Sequence, residues 1–170
     1  LDSTFGDHGK VATDFRGYID GGASVVLQRD GKILVAGYAG NGSNSDFALA
    51  RYNVDGALDT TFGIAGKITT DFGSEDRASI VLIQSDGKIV TAGTTGVASG
   101  RDFALARFTQ DGTLDVTFGL GGKADCGRDL EGAAVCIAAR VRRRAAVRDH
   151  HGTDARLRAR RPSPRLRAAD

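Results

Sequence analysis

Apolar residues in this chain fall in short runs, and the runs recur in a fixed order. SVVLQ at 24–28, KILVAGY at 32–38 and DFALAR at 46–51 return as IVLIQ at 80–84, KIVTAGT at 88–94 and DFALAR at 102–107. Each run is of strand length, rich in β-branched and other aliphatic residues, and bounded by Gly, Asn, Ser and Asp, which predicts β-strands. Within DFALAR, Phe47 and Leu49 alternate with Ala48 and Ala50, and Phe103 and Leu105 with Ala104 and Ala106. Successive side chains of a strand project to opposite faces, so one face is large, the other small, and both are apolar. A sheet with one wet face would carry polar residues where the alanines stand. The pattern predicts small sheets stacked face to face, each filling the gap left by its neighbour.

The recurrence defines a repeat array. The first repeat spans 1–57, the second 58–113, and a third opens at Leu114, giving periods of 57 and 56 residues. Each begins LDxTFG, continues through GK into a short β-like run (VATDF at 11–15, ITTDF at 68–72), and then supplies the three apolar runs. Four Asp-Gly pairs sit between apolar runs: Asp30-Gly31, Asp55-Gly56, Asp86-Gly87 and Asp111-Gly112. The pairs at 30–31 and 86–87 predict two-residue hairpins in type I′ turns, with positive φ at both positions. Those at 55–56 and 111–112 read either as hairpins or as plain turns into LDxTFG.

About four short antiparallel strands per repeat, needing neighbours on both faces, favour the blades of a β-propeller. A linear stack of sheets or a β-solenoid fits the same pattern and stays open. The expected fold is all-β: an incomplete β-propeller of about two four-stranded antiparallel blades, the first near 20–72 and the second starting near 77. Residues 10–15 would be the outer strand of a preceding blade. Closed propellers use about four to eight blades. Two blades leave two faces open, so the isolated chain is expected to be marginal or aggregation-prone.

Composition divides the chain in two. Residues 1–123 hold every aromatic and every lysine, with 11 basic and 15 acidic residues. Residues 124–170 hold both cysteines, both prolines, 12 basic and 6 acidic residues. The change falls abruptly inside a strand motif, after LDVTFGLGGK at 114–123. Three readings of 124–170 stand beside one another. The favoured one is an out-of-frame translation, since a GC-rich gene read in the wrong frame yields Arg, Ala, Gly and Pro. The second is a genuine basic tail, disordered or weakly helical over 131–148. The third is a polyanion-binding segment built on Arg142, Arg143 and Arg144 and the arginines of 156–167. No run of 18 apolar residues predicts a membrane span. The absence of methionine and the start within a motif suggest a piece of a longer protein.

Chemistry is sparse. His8 is the one histidine of the repeats, and Ala65 takes its place in the second, so a solvated loop histidine is expected. The recurring aspartates, Asp14 and Asp71, Asp46 and Asp102, Asp59 and Asp115, suit structural roles better than an active site, which needs one asymmetric constellation. Asp59 and Asp115 are expected to cap the turn around TFG by accepting backbone N–H bonds. The loop NGSNSD at 41–46 is rich in oxygen atoms that suit Ca²⁺, but its counterpart TGVASGRD at 95–102 has fewer ligands and an arginine, so a flexible loop is the preferred reading. Cys126 and Cys136, and His150 and His151, lack metal-ligand spacing. GDHGK and GIAGK are too short for a phosphate loop and lead into strands. Phe5, Phe62 and Phe118 are expected to wedge between blades. No catalytic, cofactor-binding or metal-binding residue is assigned.

The succession LDxTFGxxGKxxTDF, QxDGKI, AG, DFALARY and DG resembles the bacterial delta-60 repeat, an uncharacterised β-propeller repeat domain. The resemblance covers residues 1–123. It implies a propeller of many repeats, within large and often exported bacterial proteins, at the cell envelope or outside it. It implies no established activity and transfers no catalytic residue. The expected function is a non-enzymatic scaffold or binding module. The loops at 16–22, 39–45 and 95–101, where the repeats differ most, would meet a protein or glycan ligand, and further repeats of the same chain would be partners in the intact protein. Nucleic acid is a disfavoured partner. The alternatives are a propeller enzyme whose site lies outside this chain, and polyanion binding through the Arg-rich tail.

Overall fold

Each repeat is built on hairpins. In the computed structural model, which describes residues 1–97 and 100–125, the runs on either side of each Asp-Gly pair at 30–31 and 86–87 pair in antiparallel register. The strands are β1 (Asp20–Leu27), β2 (Ile33–Gly40), β3 (Ser45–Tyr52), β4 (Lys67–Thr70), β5 (Arg77–Ile83), β6 (Ile89–Thr95), β7 (Asp102–Phe108) and β8 (Lys123–Asp125). They form two four-stranded antiparallel sheets ordered β1-β2-β3-β4 and β5-β6-β7-β8. These are two blades of an incomplete β-propeller, and their limits match the expected 20–72 and the start near 77.

The turns differ from expectation. At Asp30-Gly31 only Gly31 has positive φ, at +83°. The Gly31 N–H donates to the Gln28 carbonyl, and the Gln28 N–H to the Lys32 carbonyl. This is a type I turn closed by a left-handed glycine, the three-residue hairpin loop rather than the two-residue type I′ loop. The Asp30 carboxylate accepts the Lys32 N–H, a local bond that favours this geometry. The pairs at 55–56, 86–87 and 111–112 repeat every one of these bonds. The chain therefore uses one turn four times, and the pairs before LDxTFG are turns of the same kind as the hairpins.

Paired residues of neighbouring strands point to the same side, so the register assigns the faces. Val26, Leu34, Ala36, Phe47, Leu49 and Ile68 share the large face of the first blade. Val81, Ile89, Thr91, Ala104, Ala106 and Phe108 share the small face of the second. These two faces meet in a single core, closed by Phe62. Large meets small as the alternation required. Among the described residues the opposite faces are partly open: Val25 and Leu27 are exposed on the first blade, although Ala48 and Ala50 of the same face are buried, and Ile80, Leu82 and Phe103 are exposed on the second, with Phe103 at 60%.

Residues 10–15 do not form the expected strand. Lys10 makes only isolated bridges to Gly6 and Asp7, and residues 11–14 carry no ladder. A strand needs a neighbour for its backbone groups, and among the described residues no preceding blade offers one. The equivalent residues of the later repeats, β4 and β8, do find one in β3 and β7. Residues 124–125 still pair with β7, while the tail readings concern residues that, from 126 on, lie outside those described.

Candidate functional site

The two ends of the blades differ in character. The Asp-Gly turns and LDxTFG blocks gather at one end, and the loops that precede β1, β3, β5 and β7 gather at the other. The turn end is held by repeated contacts. Asp59 follows Arg51 across a backbone bond, its N–H donating to the Arg51 carbonyl at 2.8 Å. One Asp59 oxygen accepts Arg51 Nε at 2.7 Å and Lys32 Nζ at 2.8 Å. The other accepts the Thr61 N–H and hydroxyl, so the expected cap on the TFG turn is present. Burial works against the Asp59 charge, but Lys32, Thr61 and Arg51 outweigh it and hold the carboxyl well below the usual carboxylate range. Asp115 repeats the set with Thr117, Lys88 and Arg107, and its carboxyl is likewise lowered, first by the Thr117 hydroxyl and then by Lys88.

Phe62 is fully buried beneath the Arg51 guanidinium, 4.4 Å from ring centre to carbon. It lies against the second blade's turn at Gly112, while the Gly63 N–H donates to the Asp111 carbonyl at 2.8 Å. Arg51 Nη1 reaches the Gln110 carbonyl across the same joint at 2.6 Å. Gly6 and Phe5 hold the turn at 55–56 in the same way. The TFG block at Phe62 is thus a latch between blades, as expected; Phe5 and Phe118 are only half-buried. A second latch joins GK to TDF. Lys67 Nζ donates to the Asp14 carbonyl above the Phe15 ring, and Lys123 Nζ to the Asp71 carbonyl above Phe72. A cleft of about 690 Å³ at the turn end is lined by these same structural groups, among them Lys32, Arg51 and Gln110.

His8 is exposed, 93% in its side chain, and 3.8 Å from Asp7. It has φ of +50°, and Ala65 has +51°, so position rather than chemistry governs the site. Asp14 and Asp71 each accept a glycine N–H in the turn that follows.

The loop end holds a group that the sequence reading did not assemble. Carboxylate oxygens of Asp46, Asp71 and Asp76 lie within 4.8 Å of one another. Asp46 is the second residue of β3, Asp71 directly follows β4, and Asp76 directly precedes β5 of the second blade. The joint is fixed by the Asp76 N–H, which donates to the Ser45 carbonyl at 2.7 Å. Asp46 is buried, accepting Arg16 Nη1 and Asn41 Nδ2, each at 3.1 Å. Asp76 is 0% exposed. Its Oδ2 accepts the Phe72 N–H at 2.6 Å. Thr95 sits beside the carboxylate and eases its charge, yet among the described residues no donor meets Oδ1 with hydrogen-bond geometry. Burial raises the Asp76 carboxyl above its ordinary range, and the charges of Asp71 and Asp46 add to the rise. The recurring aspartates of the motifs include Asp46 and Asp71 but not Asp76. The signal was present: Asp20 precedes it by one period, and its Oδ2 accepts the Phe15 N–H.

Blades of four antiparallel strands, latched repeat to repeat, define a β-propeller-type repeat protein. Residues 28–62 and 84–118 each match the family model described as "Domain of unknown function (DUF5122) beta-propeller". The matched segments begin at the hairpin turn and end in the TFG block, so they contain most of the first latch. No curated protein matches the chain.

Proposed function

We propose that the chain is a non-catalytic β-propeller segment of a larger bacterial exported or cell-surface protein. Its blades serve as a rigid scaffold, and the loops at 16–22, 39–45 and 95–101 contact a protein or glycan ligand. One observation carries this reading: the repeated motif residues are committed to turns and to the joint between blades, whereas the loop end varies between repeats. Tyr18 illustrates the difference. It lies against Gly40 and Gly42 of the neighbouring loop, and the second repeat has no aromatic there. Rigid scaffolds with variable loops at one end are a common way to place binding groups.

The test is a glycan array and a panel of secreted bacterial proteins, probed with the chain and with a variant in which 39–45 is replaced by the sequence of 95–101. A ligand lost on exchange, with the circular dichroism spectrum preserved, supports the reading. A ligand retained by the exchanged chain, or one that competes at the Asp-Gly turns, contradicts it.

A further inference from the structure

We propose that Asp46, Asp71 and Asp76 form a Ca²⁺ site that ties the first blade to the second at the loop end. Three observations converge on it. The donors are all carboxylate oxygens, the set that hard divalent cations prefer over nitrogen or sulfur. Their mutual separation, within 4.8 Å, suits one ion, because ligands on opposite sides of Ca²⁺ at bond lengths of about 2.3–2.6 Å stand up to about 5 Å apart. Independently of the clustering, the fully buried Asp76 keeps Oδ1 without a hydrogen-bond donor among the described residues, while Oδ2 is taken by Phe72. A buried carboxylate oxygen left without a partner is costly, and a cation between the three side chains removes that cost together with their mutual repulsion.

The surrounding groups fit. Arg16 neutralises part of Asp46 from a half-exposed position, so it lowers affinity without closing the site. Glu75 is engaged by Ser45 and Arg77 and stays outside the set. Asp71 is exposed and gives the ion a route from solvent. The oxygen-rich loop at 41–46 supplies one of the three carboxylates, Asp46; folding brings the other two from 25 and 30 residues further along the chain.

Isothermal titration of the whole chain with CaCl₂ alone, after EDTA treatment, tests the proposal, with thermal unfolding as a parallel readout. One ion per chain is expected, with a dissociation constant of about 10⁻⁴–10⁻³ M, the range of modest Ca²⁺ sites. The unfolding midpoint is expected to rise with Ca²⁺ as binding to the folded state requires. Asp71→Asn, at an exposed position where the amide oxygen can still accept the Gly73 N–H, is expected to weaken binding on the order of tenfold or more through the lost ligand charge. Arg16→Ala is expected to tighten it. Asp14→Asn, at the matching position of the first repeat, is expected to leave it unchanged. The proposal is overturned by the absence of heat and of a midpoint shift up to about 1 mM Ca²⁺. Unchanged binding by Asp71→Asn, or an equal response to Mg²⁺, overturns it as well.

Discussion

At the residue scale, the recurring side chains are committed to the turns and to the joint between blades. Gly112 shows how tight the fit is. It has φ of +91°, and a Cβ there would stand 2.5 Å from Ile68 Cδ1 and 2.9 Å from Phe62 Cε2. Gly73 has φ of +96° with nothing within 4 Å of a built Cβ. Alanine at Gly73 pays only for the left-handed backbone, about 1–2 kcal/mol. Gly112→Ala pays that and the overlap with Phe62, so urea unfolding is expected to show a clearly larger loss; equal losses would remove Phe62 from the latch. The Asp59 carboxyl makes a second test. Its folded pKa lies below the unfolded value of about 4, so its contribution is complete above that value and is lost as pH falls toward the folded pKa. The unfolding midpoint of the chain is expected to drop as pH falls below about 4, and Asp59→Asn is expected to lower the midpoint at neutral pH and flatten that drop. A variant with the same acid slope as the unmodified chain would contradict the ion-paired cap. The cap at Asp59 was legible in the sequence because its bonds are local. The grouping of Asp76 with Asp46 was not, because it depends on how two blades dock, and no local pattern records a contact 30 residues away.

The strand runs, their order and their large and small faces were legible from alternation alone, since a period of two sorts side chains whatever the sheet's neighbours. The turns were legible as positions but not as types. Asp-Gly satisfies both a type I′ hairpin and the end of a type I turn, and the choice falls to the Asp side chain, which bonds the N–H two residues on. The outer strand shows the limit of element-level reading. The same GK-x-x-T-D-F pattern makes a ladder in β4 and none at 10–15, because a strand is a property of a pair. A prediction follows from the small face of the second blade. Thr91 is fully buried, and its hydroxyl meets the Ala106 carbonyl only at 3.5 Å. The first blade carries Val35 at that position. Thr91→Val is expected to leave stability unchanged or raise it by up to about 1 kcal/mol, since little is lost with so long a bond. A loss of that size in urea unfolding would mean that the hydroxyl is satisfied in a way the register does not explain.

At the scale of the molecule, the joint between the two described blades carries the core, and apolar residues stay exposed on the outer face of each blade among the described residues. Val25 and Leu27 on one side, with Ile80, Leu82 and Phe103 on the other, are the same two kinds of face that meet at the joint. Exposed apolar sheet faces of this kind drive association, so sedimentation of the chain is expected to show mass rising with concentration; a monodisperse monomer at all concentrations would contradict it. The account rests on the joint itself, and native-state hydrogen exchange of Ile89→Val reaches it most directly. Ile89 belongs to the second blade and is fully buried in the shared core. Removing one methyl there costs about 0.5–1.5 kcal/mol. If the blades are one cooperative unit, protection falls by the same factor in β2 and β3 of the first blade as in β6 and β7 of the second. If only β6 and β7 lose protection, the blades are separate bodies and the latches do not join them.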